Sequence, residues 1–303
     1  MAEDRQREGK RLRRWRWAAA WAAGSLLAAP VQAQLAAFGI EGMHVVSTAA
    51  SETGASISPD GQRIVWARQD AQGVSSLWQA RLQDKRWSEA APLAMAQAVD
   101  AAAPAFSPDG RWLYFSAPRT PSGPRTLWRA RVDEEGQPQG PQALADQLGI
   151  AASTADAPTP SADGRRLMFS SDRPGGTGGL DLWQAAVQGE GFGAVTPVPG
   201  VNTPGDEIDG AWLEGGRGLL LTRADAQGSQ VWTARCVQGR YEVERTWRSP
   251  LNVAGGSTRR ALPDPSKPSE MLVSGSAPAP RAGLQDLYRT LTPRVQGETG
   301  CAG

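Results

Sequence analysis

Apolar and polar positions follow a frame that recurs along the chain. It is clearest in "ASISPDGQRIVWA" at 55–67, "PAFSPDGRWLYFS" at 104–116 and "PTPSADGRRLMFS" at 158–170. The frame returns as "GAWLEGGRGLLLT" at 210–222 and in decayed form as "SEMLVSG" at 269–275. Its apolar anchors are Trp66, Phe115, Phe169, Leu221 and Val273, spaced 49, 54, 52 and 52 residues apart. A second stretch follows each anchor: "LWQAR" at 77–81, "LWRAR" at 127–131, "LWQAA" at 182–186, "VWTAR" at 231–235 and "LYRTL" at 287–291. Two linked motifs in five copies predict one supersecondary unit repeated five times.

Local chemistry says what that unit is. In "SPDG" the proline presets the first turn position, aspartate suits the next and glycine accepts the left-handed conformation that follows. This predicts a tight hairpin turn, with Asp60, Asp109 and Asp163 in structural roles. "RIVWA" and "RWLYFS" are apolar without alternation, as a strand buried on both faces is. "LWQAR" alternates more clearly, as a half-covered strand does. A weaker fourth strand is expected around Trp87, Phe192 and Tyr241. Four strands per repeat, with no helical period, predict an all-β fold: a five-bladed β-propeller, rather than a six-bladed one, with four-stranded antiparallel blades. The recurrent Trp78, Trp128, Trp183 and Trp232 then pack between blades. The glycine-rich "SSDRPGGTGG" at 170–179 falls between the second and third strands of repeat three. It has no lysine and no following helix to hold a phosphate, so it reads as a hairpin connection.

The first 33 residues stand outside this frame. Seven basic residues precede the apolar "AAAWAAGSLLAA" at 18–29, and Val31 and Ala33 fit a signal-peptidase site. Twelve apolar residues are too few to span a bilayer, so a cleaved export signal over 1–33 is expected. The domain reading is then a segment at 34–50 that closes the last blade, a propeller at 51–292 and a flexible tail at 293–303. Repeat five lacks an outer strand, and "MHVVST" at 43–48 is expected to cross back and supply it. Cys236 and Cys301 leave two readings open in an oxidising compartment: a disulfide, or a half-buried thiol and a loose tail thiol.

Charge and chemistry narrow the function classes. Without the seven basic and three acidic residues of the first segment, residues 34–303 carry a net charge of −3. That gives no basic surplus for nucleic acid. The single histidine, His44, lies outside the repeats, which excludes a histidine metal cluster and disfavours a Ser-His-Asp triad. No "GxSxG" elbow occurs. No cofactor, metal ligand set or catalytic residue is assigned. The remaining candidates are acids just before the inner strands: Glu52, Asp100, Asp156, Asp206, Glu207 and Asp209. Together they are expected to rim one mouth of the channel as a negative funnel for cations or a basic partner segment. A suitably spaced pair of carboxylates would instead suit glycoside hydrolysis.

The "SPDG" turns, the phenylalanine-serine strand ends and "SSDRPGGTGGLDLW" at 170–183 resemble the Pro-Asp, TolB-like propeller repeats of bacterial envelope proteins. The resemblance covers about residues 50–292. It implies a periplasmic or secreted propeller of a Gram-negative bacterium that acts as a non-enzymatic binding or scaffolding module. The partner it implies is an envelope protein or a peptidoglycan-associated lipoprotein, with a glycan also possible. The alternative is a carbohydrate-active propeller that uses the acidic rim.

Overall fold

Each Ser-Pro-Asp-Gly turn, and the Ser-Ala-Asp-Gly turn at 161–164, closes on its own side chains. Ser58 Oγ donates to Asp60 Oδ1 (2.5 Å) and accepts from the Arg63 N–H (3.0 Å), while Asp60 Oδ1 accepts from the Gln62 N–H (3.0 Å). The bonds recur at Ser107 and Asp109, and at Ser161 and Asp163. Gly61, Gly110 and Gly164 all take the left-handed conformation. Burial pushes the carboxyls of Asp60 and Asp109 up, but the serine hydroxyl and backbone N–H groups outweigh it and hold both below the usual carboxylate value.

These turns link strands into blades. The computed structural model describes residues 38–95 and 100–302, so the expected export signal lies outside the described residues. Strand β1 (Phe38–Ile40) precedes the repeats. Blade one is β2 (Ser51–Ile57), β3 (Arg63–Gln69), β4 (Ser75–Gln83) and the short β5 (Arg86–Trp87) and β6 (Ala91–Pro92). Blade two is β7 (Ala102–Phe106), β8 (Trp112–Pro118), β9 (Arg125–Val132) and β10 (Pro138–Ala143). Blade three is β11 (Ala155–Pro160), β12 (Arg166–Ser171), β13 (Asp181–Gln188) and β14 (Gly191–Pro197). Blade four is β15 (Asp206–Leu213), β16 (Gly218–Asp225), β17 (Gly228–Val237) and β18 (Arg240–Thr246). Blade five is β19 (Thr258–Asp264), β20 (Lys267–Gly275) and β21 (Asp286–Leu291), with β1 as its outermost strand. The fold is a five-bladed β-propeller.

Register explains why two motifs recur together. Each anchor sits opposite the aromatic residue, or its equivalent, of the second motif: Trp66 and Trp78, Phe115 and Trp128, Phe169 and Trp183, Leu221 and Trp232, Val273 and Tyr288. All five anchors are fully buried. The core is divided among the seams: Val65, Ala67 and Leu77 of blade one pack with Phe106, Phe115 and Trp128 of blade two, and similar clusters join blades two and three, three and four, and five and one. A second strand that faces two neighbouring blades must be apolar at successive positions.

Two terminal features differ from expectation. Met43–Thr48 is not the closing strand. Gly42 and His44 take left-handed φ angles, and the N–H groups of Val45 and Val46 both fold onto Gly42 O, which breaks an extended path. Closure uses β1, continued by Glu41 N–H donating to Leu287 O (2.7 Å). Ser47 Oγ also bonds both backbone groups of Leu287, and Val46 is buried between blades five and one. The tail is not loose. Cys236 and Cys301 form a disulfide, the Glu298 N–H donates to Cys236 O (2.8 Å), and Val295 is buried against blade four. Among the described residues, no helix is long and apolar enough to cross a membrane.

Candidate functional site

The inner strands start at one face of the ring, the acid face, and end at the opposite face, which carries the tight turns. Glu52 and Glu207 do not reach an open rim on the acid face. Both are fully buried in matching clasps. Glu52 accepts from the Thr48 N–H and hydroxyl and pairs with Arg68 (2.8 Å). Glu207 accepts from the Thr203 N–H and hydroxyl and pairs with Arg223 (3.0 Å). A loop from the preceding blade docks on each clasp. Glu52 N–H donates to Gln285 O, and Glu207 N–H donates to Leu180 O.

This docking accounts for the glycine-rich loop. A Cβ on Gly178 would lie 2.3 Å from Gly205 O and 2.4 Å from Thr203 O; on Gly283 it would lie 2.1 Å from Ala50 O and 2.4 Å from Thr48 O. Only glycine lets the backbones approach this closely. Asp181 and Asp286 hold the two loops by accepting backbone N–H groups from Thr177, Gly178, Ala282 and Gly283. The segment is an inter-blade clasp rather than a phosphate cradle.

Three of the expected acids keep some exposure. Asp100 and Asp156 share Arg125, at 2.8 and 3.2 Å, and remain 40% and 33% exposed. Asp156 also accepts from the Ser116 hydroxyl and the Ala157 N–H. Asp206 accepts from the Leu180 N–H (2.8 Å) and is half-buried. Asp209 is only 4% exposed and lies deeper, towards the axis. His44 is exposed in its turn.

The axis holds a residue that neither recurring motif contains. Four positions before each turn stand Gly54, Ala103, Ala157, Asp209 and Arg260. The pairing with the second strand slips around each of these positions. Gly54, Ala103, Ala157 and Arg260 take left-handed φ angles there. The Arg260 guanidinium is buried among the others. It donates to Ala103 O (3.3 Å), Pro104 O (3.5 Å), Pro158 O (3.4 Å) and Thr159 Oγ1 (3.4 Å). Asp209 Oδ2 accepts from the Arg260 N–H (3.0 Å), and its Oδ1 accepts from the Thr222 hydroxyl (2.7 Å). Burial pushes the Asp209 carboxyl up against the pull of Arg260, and burial lowers Arg260 against the pull of Asp209. Three small residues make room for one guanidinium, and the fourth supplies an opposing charge. The position is one column of the repeat, but repeat five is too decayed for its sequence to show that column.

On the turn face, neighbouring turns touch. A Cβ at Gly61 would lie 3.2 Å from Ser266, at Gly110 3.9 Å from Pro59 and at Gly164 3.2 Å from Pro108. Between turns three, four and five these contacts lapse, and a cleft of about 640 Å³ opens beside Ala162, Trp212, Gly215, Pro263 and Leu291. A second cleft of about 670 Å³ lies at the seam of blades five and one.

No protein-family model matches the chain, and no curated protein matches it. Solved structures with a similar fold include the catalytic domain of an α-L-arabinofuranosidase from Coprinopsis cinerea: 13% identity, 84% of this chain, 98% of that one, TM-score 0.50. An α-L-arabinofuranosidase from Podospora anserina, in complex with cellotriose, is similar at 13% identity over 85% of this chain and 98% of that one, TM-score 0.50. TolB from Acinetobacter baumannii is similar at 16% identity over 82% of this chain, TM-score 0.48, and this chain spans 56% of its length. At such identities the likeness concerns the propeller fold.

Proposed function

We propose that this protein is an exported envelope propeller that binds partners rather than transforming a substrate. One observation carries the reading. The axis, where a propeller enzyme would work, is filled by Arg260, and the carboxylates around it are engaged. Glu52 and Glu207 are spent on clasps, and Asp100 and Asp156 share one arginine. A glycosidase needs one carboxyl free to donate a proton and another free to attack or activate water. The half-exposed acids Asp100, Asp156 and Asp206 form the partner-facing part of the acid face, suited to a basic segment of an envelope protein or a peptidoglycan-associated lipoprotein.

The test has two arms. The purified protein is incubated with arabinoxylan and cello-oligosaccharides while reducing ends are counted; none should appear, and sustained release would overturn the reading. In parallel, the protein is cross-linked in envelope preparations with and without Asp100→Asn, Asp156→Asn and Asp206→Asn. Partner capture should weaken in the triple variant and lose much of its salt dependence. Capture that ignores the substitutions would move the partner away from the acid face.

A further inference from the structure

The cleft between blades five and one lies on the turn face, away from the acids just described. Its walls are the segment Glu41–Val45, the turn Asp60–Gln62, the hairpin Lys85–Trp87 and the turn that carries Asp264 and Lys267. Its charges are unevenly committed. Arg289 pairs with Glu41 (2.6 Å) and Asp264 (2.8 Å), and Glu41 also accepts from the Trp87 indole N–H. Asp60 is held inside its own turn by Ser58 and Gln62. The lining carboxylates therefore all have hydrogen-bond or ion-pair partners, and Asp60 keeps an unpaired negative charge at the cleft's edge.

Two cations are unpaired and a third is held weakly. Among the described residues, no carboxylate pairs with Lys85 or Arg86. Lys267 comes only within 4.0 Å of Glu270, which Arg289 already holds at 2.8 Å. Residues 34–303 are net acidic and use arginine almost throughout. The chain has three lysines, Lys10, Lys85 and Lys267, and two of them line this one cleft. An ammonium is a compact, mobile point charge, unlike the rigid guanidinium fork.

The backbone adds a second observation. Asp84 (φ +48°) and Lys85 (φ +63°) form a two-residue turn with both residues left-handed. Such turns favour Asn-Gly, and a lysine there carries strain. Strain of this kind collects where a side chain must be presented in a set place. Below the cations, Val45, Ile57, Leu82 and Trp87 give the cleft an apolar floor. Its volume falls within the range of small-ligand sites.

We propose that this cleft binds a small anion that bears carboxylate or phosphate groups, held by Lys85, Arg86 and Lys267 over the apolar floor. The ligand would bridge the first and last blades, so binding would also tighten ring closure.

Calorimetry on the full exported protein tests this with digalacturonate, inorganic pyrophosphate and neutral cellobiose. At least one anion should bind, raise the melting temperature and change Trp87 fluorescence, while cellobiose should not bind. A response to only one anion separates carboxylate from phosphate recognition. Because these side chains are exposed, Lys85→Ala with Lys267→Ala should leave the unliganded melting temperature unchanged and weaken binding by roughly tenfold or more. Asp100→Asn and Asp156→Asn should leave anion binding intact, which separates this site from the acid face. The proposal fails if neither anion binds, if cellobiose binds as well as an anion, or if the double lysine variant binds with parent affinity.

Discussion

Arg260 carries a charge into the buried axis of the ring, where only 5% of the residue stays exposed. Its guanidinium rests on carbonyl oxygens, and the Asp209 carboxylate, which carries the opposing charge, accepts from the Arg260 backbone N–H. The guanidinium and the Asp209 carboxylate attract each other without direct contact, so Arg260→Ala should destabilise the fold at neutral pH by less than the about 3–5 kcal/mol lost when a buried contact pair is broken. Adding Asp209→Asn should return part of that loss, because the stranded charge disappears with it. Urea unfolding of both single variants and the double variant measures this; strictly additive losses would mean that the two residues do not act together. A second residue-scale test is Gly178→Ala. The added Cβ would collide with backbone carbonyl oxygens that cannot swing away, so the clasp between blades three and four must open. A clear fall in melting temperature is expected, whereas alanine at Gly189, where a Cβ meets nothing within 4 Å, strains only a left-handed turn. The sequence marked the loop as structural but not what it grips, because the gripping atoms are backbone carbonyls 25 to 27 residues further on. Glu52 and Glu207 misled for a related reason. Their arginine partners lie sixteen residues away, across a turn, and read as separate surface charges.

At the scale of elements, the hairpin turn was the most legible part of the chain, because its bonds are local. Serine, aspartate and glycine meet within six residues, and sequence adjacency nearly fixes their geometry. The paired motifs were legible as well, since register sets each anchor opposite its aromatic partner. The turn aspartates also make a pH prediction. The Asp109 carboxyl is lowered from the ordinary value near 3.8: burial opposes this, but the Ser107 hydroxyl and the side chain and backbone of Arg111 prevail. A carboxyl depressed by folding stabilises the native state fully above its unfolded value, and the contribution fades as pH falls through its folded value. Asp109→Asn keeps the shape of the turn and removes the titration. Between pH 5 and pH 3 the variant should therefore lose less stability than the parent, read from urea midpoints at each pH. An identical acid limb in both proteins would show that Asp109 does not titrate with folding. Asp109 is largely exposed, so the difference should be small and reduced by salt.

The whole molecule is a ring that must fasten its ends, and it does so in two places. The need for closure was legible, because repeat five has no outer strand of its own and an open edge exposes unpaired backbone groups. The residues that close it were not legible: β1 is three residues long, too short to show alternation, and the more apolar Met43–Thr48 drew the assignment instead. The second fastener, Cys236–Cys301, depends on a Cα separation of 5.7 Å that spacing along the chain does not reveal. The two fasteners should fail differently. Truncation to residue 49 removes β1, the Glu41 and Ser47 bonds to Leu287 and the buried Val46 together. The last blade then presents β21 as a bare edge beside an opened seam, so unfolding should broaden and the protein should associate edge to edge. Cys301→Ser releases only the tail from blade four. It should cost roughly 2–4 kcal/mol through lost cross-linking, yet leave a closed, monomeric ring. Light scattering on size-exclusion fractions, with thermal melts of both variants, separates the cases. A truncated protein that stays monomeric with a sharp transition would show that the ring is held by its inner strands alone, where β19 meets β2.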